Sequence, residues 1–266
     1  MTARFAQAQK SDLPALTALW QTCFGDEKKQ IEAFWRALRP HIRVFAAYEG
    51  KTPCAMLCAL PATLVDEAGE SFPAAYLYAV CTAPERRGRG LCAGLMAYSE
   101  DCLKKDGVRF SALVPSSADL FGFYQKFGYK TAFFNRSYSV PAEKGKAKIT
   151  KLDADGYRNL RQMQLYGAFL SYPLPLLQWQ AEAGAGLFRI ETDELVCCAA
   201  AEISGGRLIC KELLPDCPEA ASRLAAHLGC RDALVRTDGS ETPFGMVKAL
   251  GSFPAPQEAY LGLAFD

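Results

Sequence analysis

Residues 76–92, Tyr-Leu-Tyr-Ala-Val-Cys-Thr-Ala-Pro-Glu-Arg-Arg-Gly-Arg-Gly-Leu-Cys, constrain the chain more than any other stretch. An apolar strand enters a glycine-punctuated, arginine-rich turn and leaves it as a helix. Gly88 and Gly90 let the backbone turn tightly and approach a ligand. The amides of the first helical turn lack intrahelical partners and point outward at the positive end of the helix dipole. Arg86, Arg87 and Arg89 add positive charge. A phosphate at such a terminus gains roughly 0.3–1 kcal/mol from the dipole and roughly 1.5–3 kcal/mol per charge-assisted hydrogen bond. The stretch therefore predicts a pyrophosphate site.

Two nucleotide-binding designs use a turn of this kind. Gly88-x-Gly90-x-x-Ala93 fits the dinucleotide fingerprint with alanine in the last place. In that design the first glycine follows its strand almost at once, and an acidic residue roughly twenty positions on ends the next strand. Here Thr-Ala-Pro-Glu-Arg-Arg intervenes, and the next apolar run, 108–114, ends in Pro115-Ser116-Ser117. Neither condition is met, so a nicotinamide oxidoreductase is disfavoured.

The same residues resemble the acetyl-CoA-binding motif of the GCN5-related N-acetyltransferase (GNAT) superfamily, a strand followed by Arg/Gln-x-x-Gly-x-Gly/Ala and a long helix. Arg87-Gly88-Arg89-Gly90-Leu91-Cys92 matches every place except the last, where Cys92 replaces a small Gly or Ala. Downstream, Phe123-Tyr124-Gln125-Lys126-Phe127-Gly128-Tyr129 resembles the second signature of that family, an aromatic-Tyr-x-Lys-x-Gly-aromatic segment that ends a helix and opens a strand. The two signatures stand in the right order and at a fitting distance.

The resemblance implies a mixed α/β (α+β) acyl-CoA N-acyltransferase fold, a twisted sheet flanked by helices. It implies acetyl-CoA as cosubstrate and a primary amine of a small molecule or peptide as acceptor, acetylated by direct attack on the thioester. In the family the strand before the turn splays from its neighbour, so backbone groups near Val80, Cys81 and Thr82 would bind pantetheine and polarise the thioester carbonyl. Amides of Arg87, Gly88, Arg89, Gly90, Leu91 and Cys92 would hold the pyrophosphate. Tyr124 matches the tyrosine that protonates the CoA thiolate, and is the one catalytic candidate the resemblance implies. No general base stands out: Glu67, Glu70, Glu85, a water chain or the terminal carboxylate at Asp266 could serve. Tyr76 and Tyr78, on alternate positions of one strand, face either an acceptor pocket or the core.

Composition narrows the partners. The 266 residues carry a formal net charge of +1, so neither a nucleic-acid scaffold nor a membrane-surface protein is indicated. The 11 cysteines are odd in number, and many sit in apolar runs such as Val196-Cys197-Cys198-Ala199, as reduced core residues do. With no Cys-x-x-Cys pair and only two histidines, His41 and His227, no metal site is expected. The N-terminus lacks the apolar core of a signal peptide, and no stretch reaches the roughly eighteen apolar residues of a membrane span, so the cytoplasm is the expected location. Oligomeric state is not set by the sequence.

In chain order, Ser11-Asp12-Leu13-Pro14 opens a helix carrying Leu16, Leu19 and Trp20, and a second helix carries Ile31, Phe34, Trp35 and Leu38. Residues 43–48 and 53–64 alternate or run apolar around a Glu49-Gly50-Lys51 hairpin turn. The strand 74–82, the helix after the arginine turn, a strand at 110–114, a helix holding Leu120 to Phe127 and a strand at 130–140 complete a domain spanning 1–140. Pro- and Gly-broken, charged residues 141–148 mark a boundary.

Helices near 154–165 and 174–182, strands near 187–191, 194–203 and 207–214, a helix at 218–228 and a strand at 233–237 build a second domain, 149–266. It resembles a degenerate GNAT-like repeat of the two-module bacterial acetyltransferases related to the enhanced-intracellular-survival type. Segments 242–246 and 260–266 also resemble that group, and the length leaves no room for its third domain.

Each reading has a plainer rival. The turn could be a solvated basic loop, and Tyr124 a core aromatic among Phe121, Phe123 and Phe127. Cys81 and Cys92 read better as packing residues than as nucleophiles, since no histidine neighbours them. At the level of function, the alternative to an acetyltransferase is a CoA-binding regulatory protein without catalysis.

Overall fold

The computed structural model describes residues 3–265. Its internal contacts gather the chain into two units. The first comprises the residues up to Leu64, Ser71–Lys130 and Met246–Ala255. The second comprises Val65–Glu70, Thr131–Gly245 and the residues from Pro256 on. Among the described residues, no helix is long and apolar enough to cross a membrane.

The first unit opens with β1 (Arg4–Gln7), a four-residue strand too short for the periodicity argument and absent from the sequence-based expectation. Helix α1 (Leu13–Phe24) has Pro14 in its first turn and ends where Gly25, at φ 80°, donates its N–H to the Gln21 carbonyl at 2.9 Å. Helix α2 (Lys28–Leu38) begins with a reciprocal Glu27–Gln30 capping box and buries Ile31, Phe34, Trp35 and Leu38, one stripe of an amphipathic helix. The two helices meet through Trp20, whose ring lies edge-on to Phe34 at 5.1 Å and to Trp35 at 5.3 Å.

Strands β2 (Arg43–Glu49) and β3 (Thr52–Val65) form the expected antiparallel hairpin, turned by Gly50 at φ 65°, and β1 lies antiparallel along β2. β4 (Ser71–Thr82), α3 (Leu91–Lys105), β5 (Phe110–Leu113) and α4 (Ala118–Gln125) follow, with β4 and β5 parallel as a strand–helix–strand crossover requires.

The second unit contains β6 (Lys130–Pro141), β7 (Lys148–Leu152), α5 (Ala154–Gln164), β8 (Phe169–Ser171), α6 (Leu174–Ala183), β9 (Gly186–Glu191), β10 (Val196–Ser204), β11 (Arg207–Leu214), α7 (Pro218–His227), the first part of β12 (Asp232–Ala249) and β13 (Ala259–Tyr260). β7, β9, β10 and β11 pair antiparallel in that order, and α7 crosses over to place β12 parallel to β11. At its centre Arg161 and Glu212, 3% and 0% exposed, form a 2.7 Å ion pair that Tyr157 joins through its hydroxyl.

β12 is much longer than the strand expected at 233–237. Gly239 and Pro243 look like loop residues in sequence, yet the strand continues through them to Ala249. Its last residues pair antiparallel with β5, from Met246 opposite Leu113 to Ala249 opposite Phe110. Contacts therefore group 246–255 with the first unit and 131–140 with the second, so a single cut at 141–148 does not separate the units.

Candidate active site

β4 and β5 pair from Ala74 opposite Phe110 to Leu77 opposite Leu113. β5 then stops, while β4 runs on to Thr82, leaving the last residues of β4 without that neighbour. Just past the last pair, Ala79 adopts φ 50°, a left-handed conformation that costs an L-residue about 1–2 kcal/mol. This local twist redirects the strand where Val80, Cys81 and Thr82 enter the site.

The turn that follows is shaped by Gly88 at φ 76° and Gly90 at φ 75°, with nothing within 4 Å of where a Cβ would stand at either. Gly90 caps α3, and no side chain caps the helix. The first helical bond runs from the Gly94 N–H to the Gly90 carbonyl at 3.0 Å, so the amides of Leu91, Cys92 and Ala93 have no carbonyl inside the helix to pair with. Gly94 also lets α3 sit close to β1, since a Cβ there would lie 2.4 Å from the Phe5 ring.

Charge at the turn is divided. The Arg87 Nε donates to the Thr82 carbonyl at 3.2 Å, folding that side chain back over the end of β4. Arg86 and Arg89 instead pair with Glu49, at 3.1 and 3.7 Å. Sequence alone did not reveal this acid on the β2–β3 hairpin, and it offsets part of the positive charge expected at the turn.

These elements enclose a cavity of about 650 Å³. Val80, Cys81, Thr82, Arg87, Gly88, Gly90, Leu91, Cys92 and Tyr124 all line it, whereas Arg89 does not. Tyr124, buried at 7% exposure, lies edge-on to Phe123 at 5.2 Å and to Tyr129 at 6.1 Å, so it is both a packed aromatic and a wall of the cavity. Burial, then the nearby Cys92 and Cys81 thiols, raise its pKa above the ordinary tyrosine range and keep it protonated. Burial likewise pushes the Cys92 thiol up to about 11. Thr82 Oγ1 is buried without a hydrogen-bond partner, a polar atom at the cavity wall available to a ligand.

Several lining residues carried no sequence signal. Cys23 and Phe24 end α1, and only the fold brings them beside β4, where the Cys23 Sγ donates to the Thr82 carbonyl at 3.6 Å. Ser116 and Phe127 also contribute. Tyr76 and Tyr78 do not line the cavity: Tyr76 is buried, and Tyr78 packs edge-on against Trp20 at 5.5 Å. Glu67, Glu70 and Glu85 are exposed and do not line it either, and Asp266 falls outside the described residues.

Residues 4–132 match the family described as an acetyltransferase (GNAT) domain. Over this stretch, just under half of its length, the chain is similar to GNAT acetyltransferases. Solved GNAT structures extend the likeness in fold beyond residue 132. A GCN5-related N-acetyltransferase from Anabaena variabilis ATCC 29413 is 15% identical with a TM-score of 0.71, over 94% of this chain and 73% of its own. One from Kribbella flavida is 16% identical with a TM-score of 0.70, over 94% and 72%. Eis1 from Mycobacterium abscessus is 11% identical with a TM-score of 0.65, over 94% and 74%. No curated protein matches the chain by sequence. The strand, turn and helix that frame the cavity all lie within the GNAT match.

Proposed function

We propose that the first unit transfers an acetyl group from acetyl-CoA to a primary amine of a small molecule or peptide, by direct attack of the amine on the thioester. The observation that carries this reading is one cavity walled by the free end of β4, the capless start of α3 and the protonated Tyr124. The residues present fit the cosubstrate: open space above Gly88 and Gly90 admits a pyrophosphate, and the partnerless Thr82 Oγ1 offers a hydrogen bond to pantetheine.

When bound, acetyl-CoA supplies the acyl carbon and the thiolate leaving group. The amides of Arg87 through Cys92 hold the phosphates, and the backbone of Val80 to Thr82 orients the pantetheine arm and polarises the carbonyl. Tyr124 would give its phenolic proton to the departing sulfur as the C–S bond breaks, a role worth roughly 10²–10⁴ in rate. The newly acetylated nitrogen would release its extra proton through water and so restore the phenol. Arg87 adds a local cation beside the end of β4, while Glu49 holds Arg86 and Arg89.

Tyr124→Phe keeps the ring and removes the proton. It should lower kcat by roughly 10²–10⁴ with cofactor affinity unchanged, read from steady-state kinetics beside binding calorimetry. Unchanged turnover would remove Tyr124 from the mechanism. That no carboxylate of Glu67, Glu70 or Glu85 lines the cavity favours the second reading, a CoA-binding regulatory protein. That reading expects CoA binding with no turnover in a screen of amines.

A further inference from the structure

Cys23 is the penultimate residue of α1, and its thiol reaches across to β4. It donates to the carbonyl of Thr82, the residue next to Cys81, at 3.6 Å, and the Cys81 thiol and the Arg87 guanidinium both act on it electrostatically. Both sulfurs belong to residues lining the cavity. Cys23 is half-buried and Cys81 buried, so of the two residues Cys23 is the more accessible to a small solute.

We propose that Cys23 and Cys81 are a peroxide-sensitive dithiol whose disulfide forms in the wall of the cavity and competes with its ligand. A reactive sensor thiol needs thiolate character, access and a resolving partner, and Cys23 is half-buried with Cys81 on the same cavity wall. The Cys81 thiol and the charge of Arg87 outweigh burial and bring the Cys23 pKa down to about 7, while the same interaction drives Cys81 upward. Cys92 shares the cavity, but burial holds it at about 11.

A second thiol pair, Cys197 and Cys217, serves as an internal comparison. Both residues are buried, and Cys197 is raised to about 12 with no cation among the causes.

The chemistry balances in two steps. The Cys23 thiolate attacks one peroxide oxygen, the O–O bond breaks, and the sulfenic acid forms with release of hydroxide, which takes up a proton as water. The Cys81 sulfur, losing its proton, then attacks the Cys23 sulfur and expels the hydroxyl as a second water. Two thiols are oxidised, one peroxide is reduced, and a thiol reductant reverses the change.

The test treats the reduced full chain with hydrogen peroxide at neutral pH and maps disulfides by non-reducing peptide mass spectrometry. We expect a Cys23–Cys81 linked peptide, reversed by dithiothreitol, with Cys197 and Cys217 still reduced. Cys81→Ala should stop the reaction at a Cys23 sulfenic acid trapped by dimedone, and Cys23→Ser should give neither product. Absence of the linked peptide, or alkylation of Cys23 no faster than of Cys197, overturns the pair.

Only the competition rests on the acetyl-CoA reading. Saturating desulfo-CoA should slow linkage by about tenfold. An unchanged rate in protein that binds the analogue by calorimetry overturns the competition. Failure to bind overturns the acetyl-CoA reading instead, and leaves the linked peptide to decide the dithiol.

Discussion

Tyr124 keeps its proton because it is packed, which joins the two rival sequence readings of that residue in one side chain. Since burial and the neighbouring thiols raise its pKa, its acid form persists as pH rises. A pH–rate profile should therefore show no falling limb from Tyr124 at or below about 10, the ordinary tyrosine value. Gly90 is the complementary case, held at φ 75° with open space around it. Gly90→Val meets no clash but must adopt a conformation costing roughly 1–3 kcal/mol, so the first turn of α3 shifts. We expect CoA affinity to fall about tenfold or more with little change in far-ultraviolet circular dichroism, measured by calorimetry. Gly90 was legible in sequence from the glycine spacing of its turn, and Tyr124 was singled out by the resemblance of its segment to the second GNAT signature. Cys23 and Glu49 were not, since their parts come from α1 and a hairpin that approach β4 and the turn only in the fold.

Among elements, the arginine turn works through what ends beside it. β5 stops at Leu113, Ala79 twists β4, and α3 starts without a side-chain cap, so the free end of β4 and the start of α3 border one cavity. Helix and strand types followed from periodicity in both halves: α5, α6, α7 and β11 lie close to where apolar spacing and turn residues put them. Short strands such as β1, and β12 beyond Thr237, escaped, because four residues show no period and Gly239 with Pro243 imitates a loop. The second unit rests on a buried charge pair that no local pattern foretells. Glu212→Gln leaves the Arg161 guanidinium buried without its counter-charge, and should cost about 3–5 kcal/mol in the denaturant-unfolding transition of that unit.

Across the whole molecule, the chain leaves the first unit after Lys130 and returns to it with 246–255. That return is fixed by β12 pairing with β5, and by Lys248 reaching the largely buried Glu100. Glu100 accepts from the Tyr129 hydroxyl, which also shares a 2.6 Å hydrogen bond with Ser111 on β5. Lys248→Met should destabilise the first unit by roughly 1.5–3 kcal/mol, read from chemical denaturation, with the loss carried by an unpaired Glu100. Composition and spacing have no means of showing an exchange of this kind, because the contacts join residues more than a hundred positions apart. We further propose that the second unit is a degenerate GNAT-like repeat, a reading favoured by its helix-then-strand order and by the fold likeness over 94% of the chain.

The central claim is that the strand, turn and helix around Gly88 and Gly90 hold the phosphates of acetyl-CoA. Calorimetric titration of acetyl-CoA and NADH into the wild-type chain and Arg87→Glu tests it most directly. We expect saturable micromolar binding of acetyl-CoA to the wild type, lost or weakened at least about tenfold in Arg87→Glu, with none for NADH. No acetyl-CoA binding to the folded wild-type chain, or equal binding to the variant and to NADH, would contradict it.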